Sequence, residues 1–172
     1  MLRRFIQSLT AVATVIALLA GASYGLAAEA KPPVAMDKQG HAISGYDAVS
    51  YFSGTGPTKG NPEFSQEWNG AVWLFATAAN RDAFAANPEA YAPQFGGYCA
   101  WAITMGQTAK ADPRVYEVYE GELYMNLSKG VQKKWQKNRT KSIAAGRNNW
   151  PEALSGGSWT SKAPATIPAP DK

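Results

Sequence analysis

The stretch Glu67-Trp68-Asn69-Gly70-Ala71-Val72-Trp73-Leu74-Phe75 decides the fold. Asn-Gly stands between segments rich in aromatic and β-branched side chains, and both residues tolerate the positive φ that a two-residue hairpin turn demands. The stretch therefore predicts a tight β-hairpin. Directly after it, Thr77 is a side-chain cap for a helix over Ala78 to Ala86. Asn87-Pro88 ends that helix, because the residue before proline is pushed out of the α region.

Working outward, a second hairpin is expected from Val115-Tyr116-Glu117-Val118-Tyr119, a Glu120-Gly121 turn, and Leu123-Tyr124-Met125-Asn126-Leu127. Ser128 caps a last helix running to about Ala145, with Val131, Trp135 and Ile143 as its packing residues and Gly130 weakening its first turn. Upstream, Tyr46, Val49, Tyr51 and Phe52 form a short apolar run that ends in the turn chemistry of Ser53-Gly54-Thr55-Gly56-Pro57. The expected fold is α+β: a small antiparallel sheet from two hairpins packed against two helices, in a single domain over residues 43–154. Residues 29–42 read as a flexible lead-in. Residues 155–172 are Gly, Ser, Ala and Pro with too few apolar side chains to offset the entropy of ordering, and read as disordered. No internal repeat of solenoid length stands out.

The chain starts with Met1-Leu2-Arg3-Arg4, then an uncharged run from Phe5 to Leu19, then small residues to Ala30. That is the pattern of a cleavable signal peptide over residues 1–28, cut about residues 27–30, which predicts a periplasmic or secreted protein. Two of the formal +4 charges come from Arg3 and Arg4, so the exported domain is only weakly basic and no nucleic acid partner is expected. Cys99 is the only cysteine, so an internal disulfide is excluded in a compartment where disulfides are usual. His41 is the only histidine, too few for a zinc site, which takes about four Cys or His ligands.

The segment Trp68 to Thr77, followed by Asn80-Arg81-Asp82-Ala83-Phe84 and Asn87-Pro88-Glu89-Ala90-Tyr91, resembles a YHS domain. More narrowly, Gly45-Tyr46-Asp47-Ala48, Gly96-Gly97-Tyr98-Cys99-Ala100, Asp112-Pro113, Gly121-Glu122-Leu123-Tyr124-Met125-Asn126 and Asn149-Trp150-Pro151 resemble the exported bacterial YHS-domain (seleno)protein family. The match spans about Gly45 to Leu154. In that family the position of Cys99 holds cysteine or selenocysteine, which implies a useful chalcogen there. The broader family implies metal binding, copper above all. Metal-binding relatives carry two cysteines four apart just after the aromatic strand, and the corresponding residues here are Ala76 and Asn80.

Cys99 admits two readings. It is a reactive thiol, with Gly96-Gly97 bringing backbone N–H groups close to the sulfur, or a small hydrophobe packed in the core. A soft metal site would draw on Cys99, Met105, Met125 and His41, because thiolate and thioether suit Cu(I). Tyr46, Asp47, Tyr98, Trp101 and Tyr116, with Gly96 and Gly97, are candidates to line a ligand pocket. Seven basic residues between Lys129 and Arg147 make one face of the last helix cationic, either a surface for an anionic partner or a solvated face. The first functional expectation is a non-catalytic copper-handling module. The alternatives are a Cys99-centred thiol redox protein or sensor, and a ligand- or protein-binding module. If Cys99 is reactive, the chain has no second thiol to resolve its oxidation, and a redox or metal-transfer partner protein is expected.

Overall fold

The computed structural model describes residues 30–155. The expected signal peptide and residues 156–172 of the expected tail lie outside the described residues. The chain is α+β, as the sequence predicts. Strands β1 (Asn61–Trp68) and β2 (Ala71–Phe75) form the first hairpin, and α1 (Ala78–Ala86) and the single turn α2 (Pro88–Tyr91) follow. A short helix, α3 (Ala100–Thr104), leads to β3 (Asp112–Tyr119) and β4 (Glu122–Asn126), then α4 (Lys129–Lys137) and α5 (Arg139–Asn149).

Asn69 and Gly70 have φ of 49° and 75°, and Glu120 and Gly121 have 52° and 80°. Both turns therefore place two residues in the left-handed region, which matches the twist of the flanking strands. The hairpins stay as two separate antiparallel ribbons and do not merge into one sheet. Each is extended at its second strand by an isolated parallel bridge, His41 to Val72 and Cys99 to Met125.

The two halves are copies of one design, which corrects the expectation of no internal repeat. A shift of 51 residues carries Asn61–Trp68 onto Asp112–Tyr119, Ala71–Phe75 onto Glu122–Asn126 and Ala78–Ala86 onto Lys129–Lys137. The bulge between Asn61 and Ser65 recurs between Asp112 and Tyr116. Thr77 Oγ1 accepts the Asn80 N–H at 3.1 Å, and Ser128 Oγ accepts the Val131 N–H at 3.3 Å, so each ribbon feeds a helix through the same cap. Upstream of each ribbon the register slips by one more residue. There Ile43-Ser44-Gly45 and Phe95-Gly96-Gly97 both run through positive φ, and Asp47 N–H to Thr58 O matches Cys99 N–H to Ala109 O, each 2.9 Å. Asp47 and Cys99 are thus equivalent positions.

Packing follows the repeat. Phe84 on α1 lies 4.9 Å from the Trp73 ring, and its counterpart Trp135 on α4 lies 5.1 Å from Tyr124. All four rings are buried. Each such side chain contributes on the order of 1.5–3 kcal/mol of apolar burial, so the helix-on-ribbon contact is what holds each unit together.

Two further details depart from the sequence reading, and a third accords with it. The lead-in belongs to the fold: Val34 and Ala35 are buried, Ala35 N–H donates to Gly96 O at 2.8 Å and Lys31 N–H to Leu154 O at 2.7 Å. Two apolar residues after Pro32-Pro33 carry no periodicity, yet Ala35, which donates to Gly96 O and accepts from Ile43 N–H, seals the first repeat to the second. The last helix is broken at Asn138, whose φ of −129° and ψ of 32° are not helical. Third, Gly130 has only Ser128 Oγ at 4.0 Å from where a Cβ would stand. Gly130→Ala is expected to raise stability by about 0.5 kcal/mol, through lost freedom of the unfolded chain, read as a higher urea midpoint with an unchanged denaturant slope.

Candidate functional site

Cys99 precedes α3 and is 2 % exposed. Its Sγ accepts the Leu127 N–H at 3.3 Å and lies 3.8 Å from Asn126 Oδ1, the geometry of a thiol that receives one hydrogen bond and donates one. Asn126 is fully buried, and its Oδ1 also accepts the Trp101 N–H at 3.4 Å. Its Nδ2 has no partner, and an unpaired buried amide N–H costs on the order of 1–3 kcal/mol. The sulfur therefore sits between a backbone donor and a side-chain amide with an unused donor. Leu127, which carries the backbone donor, is 52 % exposed, so the site lies just beneath the surface.

Gly96 and Gly97 do not present their N–H groups to the sulfur, contrary to the sequence reading. A Cβ on Gly96 would stand 1.9 Å from Pro33 O, and one on Gly97 would stand 2.9 Å from the Ile43 side chain. Their absent side chains let the lead-in and the first repeat close onto this loop.

Asp47 is fully buried and structural. Its Oδ1 accepts the N–H groups of Val49 and Ser50 at 2.9 and 3.3 Å, and its Oδ2 accepts the Ala76 N–H at 2.9 Å and Asn80 Nδ2 at 2.6 Å. Ala76 and Asn80 are the positions at which the resemblance to YHS domains would place a metal-binding cysteine pair. Here they hold a carboxylate instead, and the matching pair in the second repeat, Leu127 and Val131, holds no thiol either.

The remaining aromatic candidates each have another occupation. Tyr98 donates its hydroxyl to Pro32 O at 2.9 Å, and burial pushes its phenol up. Tyr46 carries Lys59 Nζ 4.0 Å above its ring. Tyr116 packs edge-on against Tyr51 at 4.8 Å, and burial lifts the Tyr51 phenol far above its usual range. Trp101 borders both core clusters. A separate open cleft of about 360 Å³, walled by Trp68, Glu89, Gln94 and Trp150, includes Gly96 but none of these aromatics.

Of the soft metal ligands, Cys99 and Met125 are brought together, bridged by their backbones and buried in the same cluster. Met105 caps the far end of α3, about 9 Å along the helix axis from Cys99. His41 pairs with Asp37 at 3.3 Å beside β2. Among the described residues, no three His, Cys, Asp or Glu side chains converge as a metal site. On the basic face, Arg139 pairs with Glu117 and Arg147 with Glu122 at 2.8 Å, which ties α5 to the second hairpin. Among the described residues no helix is long and apolar enough to cross a membrane.

Sequence reasoning singled out Cys99 but not Asn126 or Leu127. The signal for them was the recurrence of Gly45-Tyr46-Asp47-Ala48 as Gly97-Tyr98-Cys99-Ala100, which aligns the two halves and puts the residues after each second strand beside the variable position. Comparison with protein-family models, curated proteins and solved structures finds no match to this chain.

Proposed function

We propose that this is an exported YHS-like domain that works as a one-thiol redox protein through Cys99. The observation that carries the reading is the Cys99 surround: a sulfur that receives the Leu127 N–H and adjoins a fully buried Asn126 with an unspent Nδ2. A buried amide donor without a protein partner calls for an explanation, and a redox role for the group beside it is one. The neutral thiol donates to Asn126 Oδ1. Once the proton has left, a turn of the amide presents Nδ2–H to the sulfur, at the expense of the long Trp101 bond. The domain is thereby equipped to hold the nucleophilic thiolate form.

The chemistry that suits such a thiol is reaction with a hydroperoxide. The sulfur attacks one peroxide oxygen, the O–O bond breaks, and the leaving oxygen takes a proton and departs as water or an alcohol. The sulfur becomes a sulfenic acid, two electrons having passed to the peroxide. With a single cysteine in the chain, reduction falls to a thiol on a partner molecule.

A second reading, Cu(I) held by Cys99 and Met125, is favoured by their pairing across one parallel bridge. One experiment addresses both. The rate at which an alkylating probe and hydrogen peroxide modify Cys99 is measured across pH, in wild type and in Asn126→Asp, with and without Cu(I). On the redox reading wild type reacts, and Asn126→Asp, which sets a negative charge beside the sulfur, reacts about tenfold more slowly. Protection of the thiol by stoichiometric Cu(I) is the result expected on the second reading. A thiol inert to both reagents up to the pH at which the protein unfolds ends the redox proposal.

A further inference from the structure

The equivalence of Asp47 and Cys99 says more than that a thiol is present. In the first repeat this position carries a buried carboxylate, and its two oxygens are held from two directions: Oδ1 by the N–H groups of Val49 and Ser50, Oδ2 by the Ala76 N–H and Asn80 Nδ2. The second repeat keeps the frame around Cys99. Leu127 corresponds to Ala76, and its N–H points at the sulfur at 3.3 Å. Trp101 corresponds to Val49, and its N–H is turned to Asn126 Oδ1, next to the sulfur. The donor that Asn80 supplies in the first repeat is missing, since Val131 stands there. Asn126, standing where the first repeat has Phe75, adds an unpartnered Nδ2 to the same surround. The second repeat thus keeps two of the four donor positions of the Asp47 site, one on the sulfur and one beside it, and adds Asn126 Nδ2, around a side chain that has no oxygens.

We infer that this surround is an oxyanion cradle for oxidised Cys99, and that the form it holds is the sulfinate, the sulfur counterpart of the Asp47 carboxylate. The inference rests on the reading of Cys99 as an oxidisable thiol. A first hydroperoxide gives the sulfenate as described above. The sulfenate sulfur then attacks a second hydroperoxide, a second S–O bond forms as the O–O bond breaks, and a second molecule of water or alcohol leaves. The sulfur has then lost four electrons, two to each peroxide. The sulfinate carries one negative charge on two oxygens, like Asp47. Leu127 N–H serves one oxygen, Trp101 N–H the other, and Asn126 Nδ2 takes the part of Asn80. No thiol in the chain intercepts the sulfenate, so the second step competes only with partner thiols. Cys99 then records hydroperoxide exposure as a fixed charge in the core cluster it shares with Met125.

The test uses Cys99→Asp, which installs the Asp47 side chain in the equivalent place, beside Cys99→Ala. A carboxylate buried without donors destabilises strongly, so in an ordinary apolar site Cys99→Asp is the worse variant. The cradle reverses the order: Cys99→Asp is expected to fold and to unfold at a urea concentration no lower than Cys99→Ala. Adding Asn126→Leu to Cys99→Asp is expected to raise its unfolding equilibrium constant at least tenfold more than the same change does in wild type, roughly the strength of one charge-assisted hydrogen bond. In wild type treated with hydrogen peroxide, intact-mass measurement is expected to find two oxygens on Cys99 and no accumulation of a third. A Cys99→Asp variant less stable than Cys99→Ala overturns the cradle, whatever the thiol does. A wild-type thiol that peroxide leaves unmodified overturns the redox reading, whatever the stability of Cys99→Asp.

Discussion

Gly96→Ala is expected to destabilise the protein by about 3 kcal/mol or more, a large share of the stability of a domain this size. Two costs combine. Gly96 has a φ of 60°, where an alanine carries a steric penalty of about 1–2 kcal/mol. A Cβ there would also stand 1.9 Å from Pro33 O and 3.3 Å from Val34 Cα, and both neighbours are backbone. The contact is relieved only by moving the segment whose Ala35 N–H bonds Gly96 O. That movement opens the seam between the lead-in and the second repeat, and overpacking of this kind costs about 1–3 kcal/mol by itself. Gly121→Ala is the control. Gly121 has a φ of 80° in the second hairpin turn, with nothing within 4 Å of the added Cβ, so it bears the conformational cost alone. Urea unfolding of both variants separates the two contributions. Equal losses at the two positions would mean that the lead-in yields freely and is not part of the folded unit.

How much of this was legible follows from where the signals lie. Asn69-Gly70 and Glu120-Gly121 are local turn chemistry, and Thr77 and Ser128 are local caps, so both ribbons and the starts of α1 and α4 could be read directly. The lead-in could not, because Ala35 is held by a backbone bond to Gly96, some sixty positions away, and such a bond leaves no mark on side-chain pattern. The repeat was hidden for a related reason. Phe84 and Trp135, or Trp73 and Tyr124, are equivalent in aromatic character and burial but not in identity, and a packed core selects for the former. At the site, Cys99 could be named from its solitude. Asn126 could not, because in sequence it is one polar residue at the end of β4, and only the fold puts its amide against the sulfur.

Asp47→Asn removes one acceptor from a site where four donors converge, and is expected to cost about 2–3 kcal/mol although it changes no volume. Each oxygen of Asp47 accepts two hydrogen bonds: Val49 and Ser50 on Oδ1, Ala76 and Asn80 on Oδ2. An amide has one oxygen and one NH₂, so whichever way it turns, two donors face a donor. Buried donors left unpaired cost about 1–3 kcal/mol each, and part of that is recovered by small shifts at the half-exposed Val49. Asp47→Ala leaves all four donors without their acceptor and adds a cavity, for an expected loss of about 3–5 kcal/mol. The swap Asp47→Asn with Asn80→Asp distinguishes pairing from simple loss of charge. It restores a carboxylate opposite an amide at the 2.6 Å contact but still leaves the Ala76 N–H facing the wrong group, so the double variant should recover about 1 kcal/mol of the single loss in a double-mutant cycle. No recovery would mean that Asp47 acts through the backbone donors alone. In that case Asn80 contributes nothing to the first repeat, and the carboxylate at Asp47 is held just as the second repeat would hold its sulfinate, by the chain around it.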